Sequence, residues 1–516
     1  MKRKSAELAL LALFAACLAF ALLDSARFFV RLDLTRSRAY TLAPVSRQIL
    51  AGLPDQVQVT YYLSDTLRSL SPAPGRVIDL LHEYAAAARG RMSVAVLDPQ
   101  RSGGVDGARR FGVAPHQIQV IQASEQRTVD VFSGIVVEYL DRYSTLPAVF
   151  TADGLEFNLS LAVRKLLAGR RLAVGVLVGR PDKSLARDYE NLQTGLARDY
   201  AVREFLPGER IPPEVDALVV LGGLGLGADS LRPIDRYLRE GGGILFAVKG
   251  LRVETRQAFE AESAGPSPLL EAIAAYGVRV GREMVLDESA RDYRLPQRAE
   301  GRIAWESLGR YPPWVSVRSP NVAAGNPITA NFAGLDLLWP VALETRPVQG
   351  VKAEALVKTT PSAWTMKGPF VVDPFRVPQS AAQAGGGKTS AGQRVLAYAL
   401  AGDFPSPFSP GEAGRRGRLV VVGDDDFASD LLVFSDSLYN VFFLQNAVLW
   451  LSGQEDLLAI KTRAPAEGRL DRIADPAVRG RLVRAAQIVN VAVIPALVLL
   501  FGALFLLARR ERKPPR

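Results

Sequence analysis

Histidine and cysteine are nearly missing from this chain of 516 residues, which has two of the first and one of the second. The single cysteine, Cys17, lies inside an apolar run near the N-terminus. The body of the chain therefore has no disulfide, although an oxidising compartment would permit one. It also has no thiol nucleophile and no thiolate metal site. No Cys-x-x-Cys occurs, which excludes dithiol redox chemistry. The histidines, His82 and His116, both fall in the first third of the chain. A Ser-His-Asp or Cys-His hydrolase needs its base beside its nucleophile, and the larger α/β part has neither histidine nor cysteine. Sites built on several imidazoles are excluded too. No full G-x-x-x-x-G-K-[ST] motif is present, so the chain is not its own P-loop ATPase.

Long hydrophobic runs are scarce as well. There are two, at residues 8–23 and 487–508. The second carries no charge and is closed by Arg509, Arg510, Arg512 and Lys513; the first follows Lys2, Arg3 and Lys4. A hydrocarbon core of roughly 30 Å needs about 20 such residues as helix, and basic flanks mark the cytoplasmic side. Both runs read as transmembrane helices of a bacterial inner membrane, with the bulk of the chain outside the cytoplasm. Pro495 is compatible with a spanning helix. Residues 8–23 read best as a signal anchor, with a cleaved signal peptide or a lipoprotein signal ending at Cys17 as the alternatives. The formal charge is +10. The N-terminal tip supplies +3 and the tail after Ala508 +4, leaving 10 − 7 = +3 for the body. The basicity is an orientation and lipid-facing signal rather than a nucleic-acid footprint.

What is present is a mixed α/β pattern. Residues 46–50 read as a short helix, 57–63 as an alternating strand, 72–89 as a helix and 92–97 as a strand. Residues 118–121 and 129–137 supply two more strands. This order fits a thioredoxin-like sandwich. From residue 172 the rhythm becomes strand, helix, strand. Strands at 172–178, 202–205, 217–221 and 244–248 alternate with helices at 189–200, 231–238 and 269–276, which means parallel pairing with right-handed crossovers. A strand at 419–422 and an apolar helix at 441–451 return to the same sheet. The expected architecture is a thioredoxin-like N-terminal sandwich plus a flavodoxin- or amidotransferase-like parallel-sheet domain with a β-rich insertion, flanked by transmembrane helices. The expected boundaries are a tip and helix at 1–30, a small α/β domain at 31–152 and the main α/β domain at 153–293. The insertion and a flexible loop follow at 294–395, the return of the main domain at 396–460 and a connector at 461–486. The C-terminal helix at 487–508 and a basic tail at 509–516 complete the chain.

Three constellations carry candidate chemistry. Gly223, Gly225 and Gly227 with Ala228 satisfy G-x-G-x-x-A between a strand and a helix, a turn that can bring a pyrophosphate to a helix N-terminus. The acid that should end the next strand to hold a ribose is replaced by Val248-Lys249-Gly250. The bland reading is a tight turn; the glycines stay a candidate ligand or partner surface. Asp424, Asp425 and Asp426 end the 419–422 strand, at the edge where open α/β sheets gather ligands. Three carboxylates there are candidates for Mg²⁺ or Ca²⁺, against a solvated loop with one Asp capping a helix. Trp314, with Trp339 and Trp364, is either a stacking surface for sugars or a partner, or core of the β-rich segment. No cofactor and no catalytic residue is expected.

Seven stretches, in order, resemble the GldG family, the gliding-motility-type auxiliary component of an ABC transport system: LTRSRAYTL (34–42), LLHEY (80–84) with Asp98-Pro99, FSGIVVEY (132–139), LEFNL (155–159), IDRYLREGG (234–242), NPIT (326–329) and VVGDDDF (421–427). The resemblance implies a non-catalytic extracytoplasmic subunit working with an ABC permease and a separate ATPase, against lipid, with an envelope glycan or cargo protein as a further partner. It transfers no catalytic residues. The alternatives from other classes are a glycan-binding module using Trp314 and an envelope enzyme using Asp424–Asp426.

Overall fold

A computed structural model describes residues 41–463 apart from breaks at 102, 123–124, 255–259, 300–301, 331, 333, 380–390, 410, 412–413 and 432–438. Among the described residues no helix is long and apolar enough to cross a membrane. The expectation of an α/β body flanked by transmembrane helices is corrected on that point. The longest described helices, Ala73–Ala87 and Leu155–Ala168, carry charges on one side and bury the other against a sheet. The runs at 8–23 and 487–508 lie outside the described residues.

The N-terminal part is built on strands β1 (Val57–Leu63), β2 (Met92–Leu97), β3 (Ser133–Tyr139) and β4 (Arg142–Leu146), in the order β2-β1-β3-β4. β1 and β2 are parallel, and β3 and β4 run antiparallel. Helix α1 (Pro44–Ala51) precedes them, and α2 (Ala73–Ala87) makes the crossover. α2 buries Val77, Leu81 and Tyr84, spaced three and four apart, as a helix with one apolar stripe must. α3 (Leu155–Ala168) closes the unit. Residues 129–137, expected as one strand, are split: a hairpin arm ends at Val131 and β3 starts at Ser133. Phe132 is withdrawn from the ladder because Ser64 takes both its backbone groups, accepting from its N–H at 2.9 Å and donating to its carbonyl at 3.0 Å.

The larger part is one ten-stranded sheet of β5 (Ala173–Gly179), β6 (Ala201–Glu204), β7 (Val215–Gly222), β8 (Gly243–Ala247), β9 (Val278–Leu286), β10 (Val341–Thr345), β11 (Val351–Lys358), β12 (Trp364–Met366), β13 (Val395–Gly402) and β14 (Gly417–Val422). The order is β12-β9-β10-β13-β14-β8-β7-β5-β6, with β11 also on β13. Five strands, β6-β5-β7-β8-β14, are parallel. In chain order they read 2-1-3-4-5, the flavodoxin-like winding with its switch point between β5 and β7. The remaining strands continue the sheet antiparallel. Part of the 294–395 segment therefore belongs to the main sheet. Another part, with residues 290–299, forms a separate three-stranded sheet of Ala290–Ala299, Arg302–Arg318 and Gly334–Leu338.

Helices cover both faces. α4 (Glu190–Ala197) and α7 (Tyr439–Leu451) meet Ala217, Val219 and Leu221 of β7. α5 (Ala228–Arg239) and α6 (Pro268–Tyr276) meet Leu218 and Val220. Alternate side chains of one strand thus enter two cores, which is why the parallel strands are continuous apolar runs. α8 (Glu455–Arg463) packs between α1, α3 and α7. Its Lys461 donates to Asn446 Oδ1 at 2.6 Å and lies 4.2 Å from the centre of the Phe157 ring. Burial brings that ammonium down to about 8. Between about 8 and 10.5 the unfolded chain then holds a proton that the folded one does not. Stability from this group is present above that window and lost as pH falls through it. Relative to Lys461→Gln, the wild type should gain about 1 kcal/mol between pH 8 and 9 in urea titrations. Parallel pH curves would refute this.

Candidate functional site

Register brings Val178, Leu221, Ala247 and Val422 to one line at the carboxyl edge of the parallel strands, with Gly179 and Gly222 paired one step beyond it. The residues just beyond form a buried ion cluster. Asp424, Asp425 and Asp426 follow β14, Lys249 follows β8, and Arg180 and Lys183 follow β5. All three carboxylates are within 4.8 Å of one another. The Lys249 ammonium sits among them, at 2.7 Å from Asp426 Oδ2, 2.9 Å from Asp425 Oδ1 and 3.4 Å from Asp424 Oδ1. Its side chain is 1% exposed. Arg180 Nη1 lies 3.5 Å from both Asp425 and Asp426, and Lys183 donates to Asp426 Oδ1. Asp424 Oδ1 accepts from the Asp426 N–H at 2.8 Å and its Oδ2 from the Leu338 N–H at 2.7 Å. The Asp425 Oδ1, though close to Lys249, lies off the hydrogen-bonding direction and has no hydrogen bond.

Three acids thus face three bases. Burial pushes the Asp424 carboxyl up to about 7 against the pull of Lys249. At Asp426 burial works the same way but is outweighed by Lys249, Lys183 and Arg180, which hold it far below the usual carboxylate range. Burial would lower Lys249, yet Asp425, Asp426 and Asp424 keep it above its ordinary value. For these acids, candidates for Mg²⁺ or Ca²⁺, the counter-charge comes from the chain itself. The ammonium of Lys249 stands where a cation would, and three cationic side chains within 4 Å would repel a divalent ion. Nor is the loop solvated: all three acids are buried. Trp339 borders the cluster with a left-handed backbone, φ 53°, rare for a bulky residue. It is held by its N–H to Pro313 O at 2.8 Å and its indole N–H to the Tyr311 hydroxyl at 2.8 Å, and Lys249 lies 5.4 Å from its ring centre.

Beside the cluster, at the switch point, a cleft of about 470 Å³ opens. Gly179, Arg180 and Asp182 form one wall, Gly223, Leu224 and Gly225 another, and the hairpin Leu251–Glu254 with Glu260–Ser263 a third. Asp425 closes its inner end. Gly227 caps α5 and does not line the cleft. Here the glycines have separable roles. A Cβ on Gly179 would lie 2.6 Å from Gly223 Cα, a backbone atom that cannot swing aside; a Cβ on Gly225 would meet nothing within 4 Å. Gly179→Ala should therefore cost about 1–3 kcal/mol of overpacking, and Gly225→Ala should stay within about 0.5 kcal/mol of wild type. Equal urea midpoints for the two variants would contradict this placement.

The third candidate lies elsewhere. Trp314 is 2% exposed, inside the core with Tyr311, Trp339 and Trp364, so it offers no stacking surface. His82 and His116 are both in the N-terminal part; His116 contacts Pro147 O at 3.5 Å and the Phe150 ring. In the sequence Lys249 stands only where an acid is missing, and nothing marks Arg180 or Lys183. These bases lie 175 to 246 residues from the acids they neutralise, so no local spacing reveals them. The one signal was a lysine at the carboxyl end of a strand whose every residue is buried.

A family model described as an ABC-type uncharacterized transport system matches residues 171–451. A model of a domain of unknown function matches residues 36–138. An uncharacterized protein of Borreliella burgdorferi is 20% identical over 502 residues, covering 93% of this chain and 94% of that one. Crystal structures of ThuA-like proteins from Parabacteroides merdae and Bacteroides uniformis each align with 55% of this chain and 91% of their own, at 11% identity and TM-scores of 0.27 and 0.30, too slight a likeness to carry argument. Matched over more than half its length, the chain belongs to the family described as an ABC-type uncharacterized transport system and has an accessory role in such a system.

Proposed function

We propose that this chain is a non-catalytic, extracytoplasmic auxiliary subunit of a GldG-type ABC transport system. Its body recognises cargo or an envelope partner while a separate subunit hydrolyses ATP. The observation that carries this reading is the state of the charges at the carboxyl edge. That edge is where an α/β enzyme places its reactive groups, and here Asp424, Asp425 and Asp426 are neutralised by Lys249, Arg180 and Lys183. They fasten loops instead of facing a substrate. The matched region, residues 171–451, also contains no histidine and no cysteine. The switch-point cleft is the surface offered to cargo. Nothing in the geometry favours glycan hydrolysis by the three acids: that chemistry sets two carboxylates roughly 5–10 Å apart across a sugar, whereas these crowd together and are ion-paired.

Tagged protein purified in mild detergent should retain an ABC permease and an ATPase. Recovery of neither, at low and at physiological salt, counts decisively against the reading. Protease added to spheroplasts should digest the body; digestion only in inverted vesicles would place it on the other side.

A further inference from the structure

At the opposite, amino-terminal edge of β14 a second cavity, of about 440 Å³, opens over β11, β13 and β14. The register sets Lys352, Ala401 and Arg418 in one row across the three strands, with Glu354 and Ala399 in the next. The two alanines form the floor, and their short side chains leave the hollow. Arg418 is already committed. It forks onto Glu455, donates to Trp450 O at 2.5 Å and lies 5.2 Å from the centre of the Trp450 ring. Glu354 accepts from Asn326 at 2.9 Å. Lys352 and Arg416 line the same cavity, and among the described residues neither side chain has a hydrogen-bond or ion-pair partner.

We propose that this cavity is an oxyanion site for a singly charged phosphate ester, with Lys352 and Arg416 as its ligands. The lining carries Lys352, Arg416 and Arg418 against Glu354 and Glu455, so 3 − 2 = +1, the charge that one phosphodiester neutralises. A guanidinium matches phosphate oxygens in a fork and an ammonium adds a point charge. Arg418, held over Trp450, forms a fixed wall and leaves the indole as an apolar border for the ester's substituent. The same chemistry is available from an anionic lipid headgroup or from a soluble phosphate ester.

Full-length protein is titrated with inorganic phosphate by ³¹P NMR, and in parallel with phosphatidylcholine vesicles with and without phosphatidylglycerol. Phosphate should bind, and Lys352→Gln and Arg416→Gln should each weaken it about tenfold, the scale of one charge-assisted hydrogen bond. Arg415→Gln, one residue away and exposed, should leave it unchanged. Ala401→Leu keeps every charge but fills the hollow, and it should abolish binding. A gain on phosphatidylglycerol vesicles that follows the same variants assigns the headgroup; phosphate binding without that gain assigns a soluble ester. Absence of binding in both arms overturns the site, as does binding that Arg415→Gln weakens as much as Arg416→Gln or that survives Ala401→Leu. The exposed glutamine variants should melt with the wild type, so that loss of binding is not loss of fold.

Discussion

Lys249→Met is expected to destabilise the protein by about 3–5 kcal/mol, the usual result of removing one partner from a buried ion pair. The methionine is close in volume, so little of this is packing. What remains is three buried carboxylates with two bases, Arg180 and Lys183, and neither of these reaches the position of the lost ammonium. Asp424 suffers most, because among the described residues Lys249 is the only cationic side chain within 4 Å of it. Its carboxyl, already pushed up to about 7 by burial, rises further when the opposing charge goes. A carboxyl raised in the folded state contributes stability that is present below its unfolded value and lost as pH climbs through the folded one. The deficit of Lys249→Met should therefore be greatest at pH 8 and shrink toward pH 5, where the acid is neutral. Urea unfolding of both proteins at the two pH values checks the size and the sign. A loss under 1 kcal/mol at pH 8, or a deficit that grows on acidification, would show that the cluster is wetter and less coupled than its geometry indicates.

Phe443→Ala should cost about 3–5 kcal/mol, while Phe442→Ala, one residue earlier on the same helix, should cost under about 0.5 kcal/mol. Phe443 is fully buried, with its ring 5.7 Å from that of Phe332 and 6.2 Å from that of Phe427. It plugs α7 into the sheet directly beneath the acid loop. Phe427 follows Asp426, and Asn440 of α7 holds its carbonyl at 2.6 Å. Phe442 is 49% exposed and loses little on truncation. Thermal and urea unfolding separate the two. Similar losses would mean that α7 is rotated relative to the sheet. Phe443→Ala should also loosen the acid loop, lowering hydrogen-exchange protection at Asp426, whose N–H is bonded only within that loop.

Periodicity located the parallel strands and their helices to within a few residues, from α4 to α7. The physical cause is burial on both faces, which demands apolar runs that few other structures need. It did less well where local chemistry competes with the ladder. The split at Phe132 depends on a single serine 68 residues away. The aromatic cluster around Trp314 read as core, yet a surface stayed open, since composition does not record which side of a strand meets a helix. The acid run was visible as a candidate ion site or a solvated loop, but its partner was not: the charge that sits among Asp424, Asp425 and Asp426 is Lys249.

Taken alone, the chain's residues determined what chemistry was excluded and which stretches had to be strand or helix, because both follow from side-chain inventory and from periods of two and 3.6 that neighbours in sequence already obey. Only the tertiary structure decided that the G-x-G-x-x-A turn and the acid run share one edge, that a lysine from another strand neutralises the acids, and that the tryptophans are inside. Those outcomes depend on strand order and register, which bring together residues far apart in the chain, and no local pattern encodes a pairing across 175 positions.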